Sequence, residues 1–227
     1  MILVVASMEI ELEGLFGLDR SPAHWEDCKL SYTGIGKKNV KQTFDNLEDS
    51  SNLDGLLSVG FVGSVDPGVK PGEICLIESV GTPGQKGRFY PDKPFWTTAQ
   101  QALGGDYKSC ELLTVDNTVS NSGEKRSFRI EGFSLIDRET YWVAKMADGE
   151  KIPFLSMRVV IDGVDQDLPP EVCYDSETGK VKPGEFVSWL ARNPSRVGEL
   201  PRLGWNSVKA RHRLSEATNR VVSALLE

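Results

Sequence analysis

The chain reads as an α/β fold, a single domain over residues 1–227 with a mixed central β-sheet flanked by helices. Short apolar runs of strand length alternate with segments of helical spacing from one end to the other. Ile2–Ala6 is continuously apolar, as a central parallel strand buried on both faces should be. Residues 132–136, 140–146 and 154–161 follow as strand, helix and strand, the pattern of a parallel crossover unit. A crossover of that kind would bring both strand ends to one sheet edge, where open α/β sheets bind ligands.

Taken in order, residues 8–16 follow the first strand as a helix whose first turn carries Glu9 and Glu11, both favourable to the helix dipole. Residues 30–33 form a strand running into Gly34-Ile35-Gly36, and Val40, Phe44 and Leu47 then recur at helical spacing over residues 37–48. Residues 56–59 are a strand ending in Gly60-Phe61-Val62-Gly63-Ser64. Asp66-Pro67-Gly68 and Lys70-Pro71-Gly72 are turn signals, and residues 74–77 are a further strand. Residues 81–97, with Pro83, Pro91 and Pro94, predict a long loop; its Phe89, Tyr90, Phe95 and Trp96 could stack on a base or staple the loop down. Residues 112–115 read as a strand, 117–125 and 165–170 as polar loops, and 185–191 and 207–226 as helices. The last has an apolar stripe of Leu214, Ala217, Val221 and Leu225.

Composition excludes several classes. A net charge of −7 argues against a nucleic-acid binder, which carries a basic face. Cys28, Cys75, Cys110 and Cys173 have no metal-ligand spacing with each other or with His24 and His212, so no metal and no cofactor is expected. Cys75, in an apolar run, reads as a buried thiol. The start lacks a basic segment and no apolar run approaches the length of a membrane span, so a cytoplasmic location is the expectation. Arg202, Lys209, Arg211, Arg213 and Arg220, with Leu203 and Trp205, form a basic C-terminal region suited to peripheral contact with an anionic membrane or to a solvated helix face.

Chemistry concentrates in three acids at strand-to-helix or strand-to-loop junctions, Glu11, Glu139 and Asp162. A carboxylate can accept sugar hydroxyls, an acid can protonate a departing base, and a base can take a proton from water. Three separated carboxylates can divide those roles, or each can simply cap a helix. The turns at Gly34-Ile35-Gly36 and Gly60-Phe61-Val62-Gly63 could admit a ligand to backbone N–H groups, yet neither fits a dinucleotide or P-loop pattern. Arg158, inside an apolar run, calls for an acidic partner and reads as half of a structural ion pair.

Together these segments resemble the purine nucleoside phosphorylase and nucleosidase superfamily over most of the chain. Residues 1–11 look like the opening of the methylthioadenosine/adenosylhomocysteine nucleosidases, a strand followed by Met8-Glu9-Ile10-Glu11. Gly34-Ile35-Gly36-Lys37-Lys38-Asn39 is similar to the family's Gly-x-Gly-x-x-Asn turn, and Gly60 to Ser64 and Val69 to Ile74 resemble its glycine loop and the turn after it. Asp137-Arg138-Glu139 resembles Asp-Met-Glu, and Arg158-Val159-Val160-Ile161-Asp162 resembles Arg-x-hydrophobic-Ser-Asp. A narrower likeness, through Asp167-Leu168-Pro169-Pro170, Trp189 to Pro194, Leu200 to Leu203 and Lys209-Ala210, is to the hopanoid-associated phosphorylases, assigned to removing adenine from adenosylhopane.

The resemblance implies a small-molecule nucleoside substrate. Glu11 would activate water, Glu139 would bind the ribose hydroxyls, and Asp162 would protonate the purine at N7. Gly63, Val62 and Phe61 would line the pocket with Arg138, and the protein would be a homo-oligomer. Arg138 stands where the family has methionine, Ile161 where it has serine, and Phe61 where it has a small residue. Those departures fit an unusual substrate, such as one with a large apolar 5′ group, and equally a binding protein that has lost turnover. Residues 56–59 carry no cation to hold phosphate, which favours water as the nucleophile, while Arg138 and Arg158 keep phosphate open as a co-substrate.

Overall fold

A computed structural model describes residues 1–16, 27–47, 52–129, 132–175 and 180–227. The side chains of Arg202 and Leu203, and all of His24, lie outside the described parts. Seven strands form one mixed sheet: β1 (Ile2–Ala6), β2 (Cys28–Tyr32), β3 (Gly55–Ser64), β4 (Ile74–Gly81), β5 (Lys108–Thr114), β6 (Leu135–Asp137) and β7 (Phe154–Asp162). Their order is β2-β1-β3-β6-β5-β4-β7, and β7 also pairs with β3. The last five strands in that order therefore close into a ring, from which β1 and β2 extend.

Closure of the ring overturns the expected parallel crossover. β7 runs parallel to β3, whereas β6 runs antiparallel to it, so β6 and β7 oppose one another. Only three residues long, β6 meets the far end of β3 through Gly63↔Ile136 and Ser64↔Leu135, while Gly63 also faces Asp162 across a register shift at Val62/Gly63. Ile136 and Asp162 thus flank Gly63 from the two strands that neighbour the end of β3.

The helices are α1 (Glu9–Phe16), α2 (Lys37–Asp45), α3 (Lys93–Leu103), α4 (Ser122–Phe128), α5 (Thr140–Glu150), α6 (Pro183–Arg192) and α7 (Leu200–Leu226). Alternation along the strands splits the core into two layers. Leu3, Val5, Leu56, Val62 and Val160 face Val40 and Phe44 of α2 and Tyr141, Val143 and Ala144 of α5. Ile2, Val4, Leu57, Val59 and Met157 face Leu12 of α1, Ala99 and Leu103 of α3, and Leu214, Ala217 and Val221 of α7. Leu225 closes the stripe at its partly buried end, and Cys75 is fully buried.

Two helices occupy segments that read as loops. In α3, Pro94 sits in the first turn and the Asp92 side chain accepts from the Phe95 N–H at 3.1 Å, so the proline marks a helix start. In α4, Asn121 accepts from the Glu124 N–H at 2.7 Å. The aromatics of the supposed loop staple it down: Phe89 lies 5.1 Å from the Tyr141 ring, Phe95 and Trp96 join the second layer, and Tyr90 is exposed. Gly60 to Ser64, read as a turn, belongs to β3 itself.

Candidate active site

Glu11 is buried in the first turn of α1 with its carboxylate folded back on the strand end. Its Oε2 accepts from the Ser7 N–H and hydroxyl, each at 3.0 Å, and from the Met8 N–H at 2.8 Å; its Oε1 accepts from the Phe61 N–H at 2.6 Å. β3 admits the carboxylate only because residue 60 is glycine. A Cβ there would lie 2.6 Å from Glu11 Oε1 and 3.2 Å from Arg158 Nη1. Burial pushes the Glu11 carboxyl up, against the pull of the Phe61 N–H and the Arg158 charge.

Arg158 enters from β7 and does more than the structural pairing anticipated. Asp137 is its acidic partner at 3.5 Å, and Nη2 also donates to the Ser58 hydroxyl at 2.8 Å and the Thr140 hydroxyl at 2.6 Å. Nη1 has no hydrogen-bond partner among the described residues. A buried guanidinium N–H left over beside Glu11 and Gly60 is a donor awaiting an acceptor. Asp137 holds the surrounding frame, taking the Thr114 hydroxyl at 2.6 Å and the Thr140 N–H at 3.1 Å, so that β5, β6 and α5 meet on one carboxylate.

Glu139 precedes α5 and reaches the Gly34-Ile35-Gly36 turn, where its Oε1 accepts from the Gly36 N–H at 2.7 Å. Gly34 and Gly36 have φ of 78° and 86°, conformations that glycine adopts at no steric cost. Lys37 lies over the Trp142 ring at 4.2 Å and closes α2 onto α5 beside this bond. Burial, then the neighbouring Asp137, pushes Glu139 up to about 8. Arg138, half-buried, donates to the Thr118 hydroxyl at 3.2 Å and passes near Gly36, so it spans the turn and the loop after β5.

Asp162 ends β7 against Gly63, whose hypothetical Cβ would lie 3.1 Å from its Oδ2. That oxygen is held by Lys125 of α4, a lysine as buried as any leucine in the core. Nothing in the sequence singled Lys125 out, because lysines almost never sit fully buried and its segment read as loop. Burial pushes Asp162 up, while the Lys125 charge and hydrogen bond pull it down.

The predicted residues divide by what faces the site. Glu11 meets β3 at residues 60 and 61, and Asp162 meets it at 63. At the rise of a strand these contact points on β3 are roughly 7–10 Å apart. Gly63 lies against the acid, and Phe61 contributes its N–H while its ring packs in the second layer. Val62 is buried in the first layer and can offer only backbone, and Ile161 packs in the second.

The α/β ring thus gathers four buried carboxyl groups, Glu11, Asp137, Glu139 and Asp162, and a guanidinium whose Nη1 has no hydrogen-bond partner among the described residues. The particular family follows from the sequence of that frame: residues 27–182 match the phosphorylase superfamily, and the chain belongs to it. Glu139, Arg158 and Asp162 fall within the matched part and Glu11 precedes it. No curated protein sequence matches the chain. Among solved structures it is similar to the Campylobacter jejuni 5′-methylthioadenosine/S-adenosylhomocysteine nucleosidase, with TM-score 0.71, 14% identity and 98% of each chain covered. The nucleosidase of S. pneumoniae, solved with a transition-state inhibitor, gives TM-score 0.69 and 17% identity over 99% of each chain. The futalosine hydrolase of Helicobacter pylori gives 0.69 and 14%, covering 97% of this chain and 96% of that one.

Proposed function

We propose that this protein cleaves the N-glycosidic bond of a purine nucleoside, an adenine nucleoside by preference, with water as the nucleophile. In this reading Glu139 takes the ribose hydroxyls, Asp162 gives a proton to the base at N7, and Glu11 takes one from water. The observation that carries it is that Glu11 Oε1 and Arg158 Nη1, the latter with no hydrogen-bond partner among the described residues, both lie against Gly60. A water molecule needs one acceptor and one donor there, and that is what the two groups supply. Build-up of positive charge on the sugar is favoured by the buried carboxylates around it.

Phosphate is the second reading, and the same Nη1 favours it, since a guanidinium is the usual partner of a phosphoryl oxygen. Glu11 stands against it, because a dianion beside a buried carboxylate is repelled. Adenine release from adenosine and methylthioadenosine, with and without phosphate, decides between the two. Release that needs no phosphate and disappears in Asp162→Asn supports hydrolysis; release only with phosphate overturns it. A folded protein that binds adenine and releases none from any nucleoside would be a binding protein of the same fold.

The substrate in this reading carries a large apolar 5′ group such as that of adenosylhopane, and the protein works in the cytoplasm as a homo-oligomer in peripheral contact with a membrane. Supporting membrane contact are the exposed Trp205 and Val208 beside Lys209. Arg213 and Arg220 are engaged elsewhere, the first with Asp106 at 2.7 and 2.9 Å and the second with the Ala102 carbonyl. No helix among the described residues is long and apolar enough to cross a membrane. Supporting an oligomer is Tyr32, exposed on the edge strand β2. Vesicle flotation and light scattering test the two.

A further inference from the structure

The Lys125 ammonium has three N–H groups and three acceptors: Asp162 Oδ2, the Gly163 carbonyl at 3.2 Å and the Gln166 carbonyl at 2.6 Å. Two of those are backbone oxygens, so the cation is anchored independently of the aspartate. α4 carries it inward from Asn121, whose side chain caps the helix, and the Ser122 N–H is tied to Asp167 at 2.6 Å. A fully buried cation costs folding energy unless it is compensated.

We propose that Lys125 is a positioning residue for the acid of the reaction, holding Asp162 by Oδ2 so that its proton lies on Oδ1, toward the base, and matching the carboxylate left after that proton has gone. The inference rests on the nucleosidase reading above and deepens it. In the step, the Asp162 Oδ1–H bond breaks and its proton goes to N7 of the purine. The C1′–N9 bond breaks with its electron pair passing to the base, and the resulting carboxylate faces the Lys125 ammonium. Water closes on C1′ and gives a proton to Glu11, and solvent exchange returns Glu11 and Asp162 to their starting states.

The groups bearing on the Asp162 proton are few. Lys125 faces it from α4, and Tyr174, beyond the short helical turn Glu171–Cys173, is near enough to feel it, its phenol pushed up to about 12 by burial first. Arg126 and Asp165, further out, pair with one another at the surface. Burial alone would give an acid that keeps its proton and yields it poorly. The ammonium changes the second property, because it stabilises the ionised form.

Lys125→Met and Lys125→Gln, with Lys125→Arg as the charge-keeping control, test this against two substrates. Methylthioadenosine needs its base protonated, whereas a 4-nitrophenyl ribofuranoside loses a phenolate that leaves without a proton. In Met and Gln variants kcat on the nucleoside should fall by about 100-fold, the scale of a general-acid contribution. The alkaline limb of the pH profile should move to higher pH, since an acid without its cation holds its proton longer. Turnover of the nitrophenyl riboside should stay close to wild type, and Lys125→Arg should restore the nucleoside activity. Equal loss on both substrates, or an unmoved alkaline limb, overturns the proposal and leaves Lys125 structural. Should Met and Gln variants both fail to fold, the Arg variant decides: nucleoside turnover kept with the alkaline limb near its wild-type position is expected, and an equal loss on both substrates overturns the proposal. If wild type cleaves neither substrate, it is the nucleosidase reading that has failed.

Discussion

Glu11 and Asp162 are equally buried, on either side of one glycine-rich strand end, and they are solvated by the protein in opposite ways. Glu11 is wrapped by neutral donors, the N–H groups of Ser7, Met8 and Phe61 and the Ser7 hydroxyl, with its one cation, Arg158, shared with Asp137. Among the described residues, the one partner of Asp162 with full charge is Lys125. Burial raises both carboxyl groups, so the partners rather than the depth set them apart. Dipoles can support a group that must accept a proton, while a fixed ammonium suits one that must give a proton away and remain charged. Chemical division of labour between two acids needs such a difference in environment.

Breaking that difference should produce the largest effects at the two carboxyl groups themselves. Asp162→Asn removes the acid while keeping its size, and adenine release should fall by about 100- to 10,000-fold, the range of a general-acid contribution. Where Asp162 is ionised the Lys125 ammonium would also lose its counter-charge, so the melting temperature should fall toward alkaline pH, which calorimetry on the same sample would read. Glu11→Gln should lower turnover on a similar scale. Its added amide hydrogens meet N–H donors instead of acceptors, so binding of a transition-state analogue reports whether the pocket has kept its shape.

A smaller break comes from the strand between them. Gly60→Ala places a methyl group 2.6 Å from Glu11 Oε1, closer than any real Cβ contact, at a φ of 155°. Either the carboxylate or β3 must shift. We expect about a tenfold or greater loss of kcat, since a displacement of an ångström at a reacting group costs up to about 100-fold. Gly63→Ala presses on Asp162 at 3.1 Å instead and should do less.

Much of this was legible in the sequence because local pattern and local structure agree. Ile2–Ala6 is a central strand, residues 37–45 a helix, and the stripe of Leu214, Ala217 and Val221 the buried side of α7. Glu11, Glu139 and Asp162 were visible as acids at element junctions. The direction of β6 was not, because three residues carry no period and the antiparallel pairing is decided by β3, some seventy residues away. α3 was hidden by reading Pro94 as a breaker when it opens a helix. Lys125 was hidden by chemistry: its burial depends on two backbone carbonyls and an aspartate from a different element, and no spacing within α4 records them. The unsatisfied Nη1 of Arg158 is likewise a product of assembly.

Glu139 sharpens the comparison through pH. With its carboxyl pushed up to about 8, it is largely protonated at neutral pH in the free protein. Ribose hydroxyls donate, so in the proposed role the ionised form binds them. Nucleoside affinity should rise as pH climbs toward 8, by about tenfold per unit where protonation dominates, and level off above it. The free protein shows the opposite sign. A raised carboxyl contributes its stability in full below the unfolded value of 4.5 and loses it as pH rises through about 8, so the melting temperature should decline over that window. Glu139→Gln should flatten both curves, and titration calorimetry at several pH values with a non-cleavable nucleoside checks the first.

The smallest effect should come from an ion pair that lacks burial. Arg213 grips Asp106 through two bonds at 2.7 and 2.9 Å, but the two side chains are 30% and 47% exposed. Asp106 is held below the usual carboxylate range chiefly by that hydrogen bond. Water screens and competes for it, so Arg213→Ala should cost at most about 1 kcal/mol, less in high salt, with no change in turnover. Lys125→Met removes the same formal charge and should alter the chemistry instead. A denaturation series on Arg213→Ala in low and high salt is therefore the control that separates the two cations. A loss comparable to that of the buried pair would mean that geometry, and not burial, sets the worth of a charge in this protein.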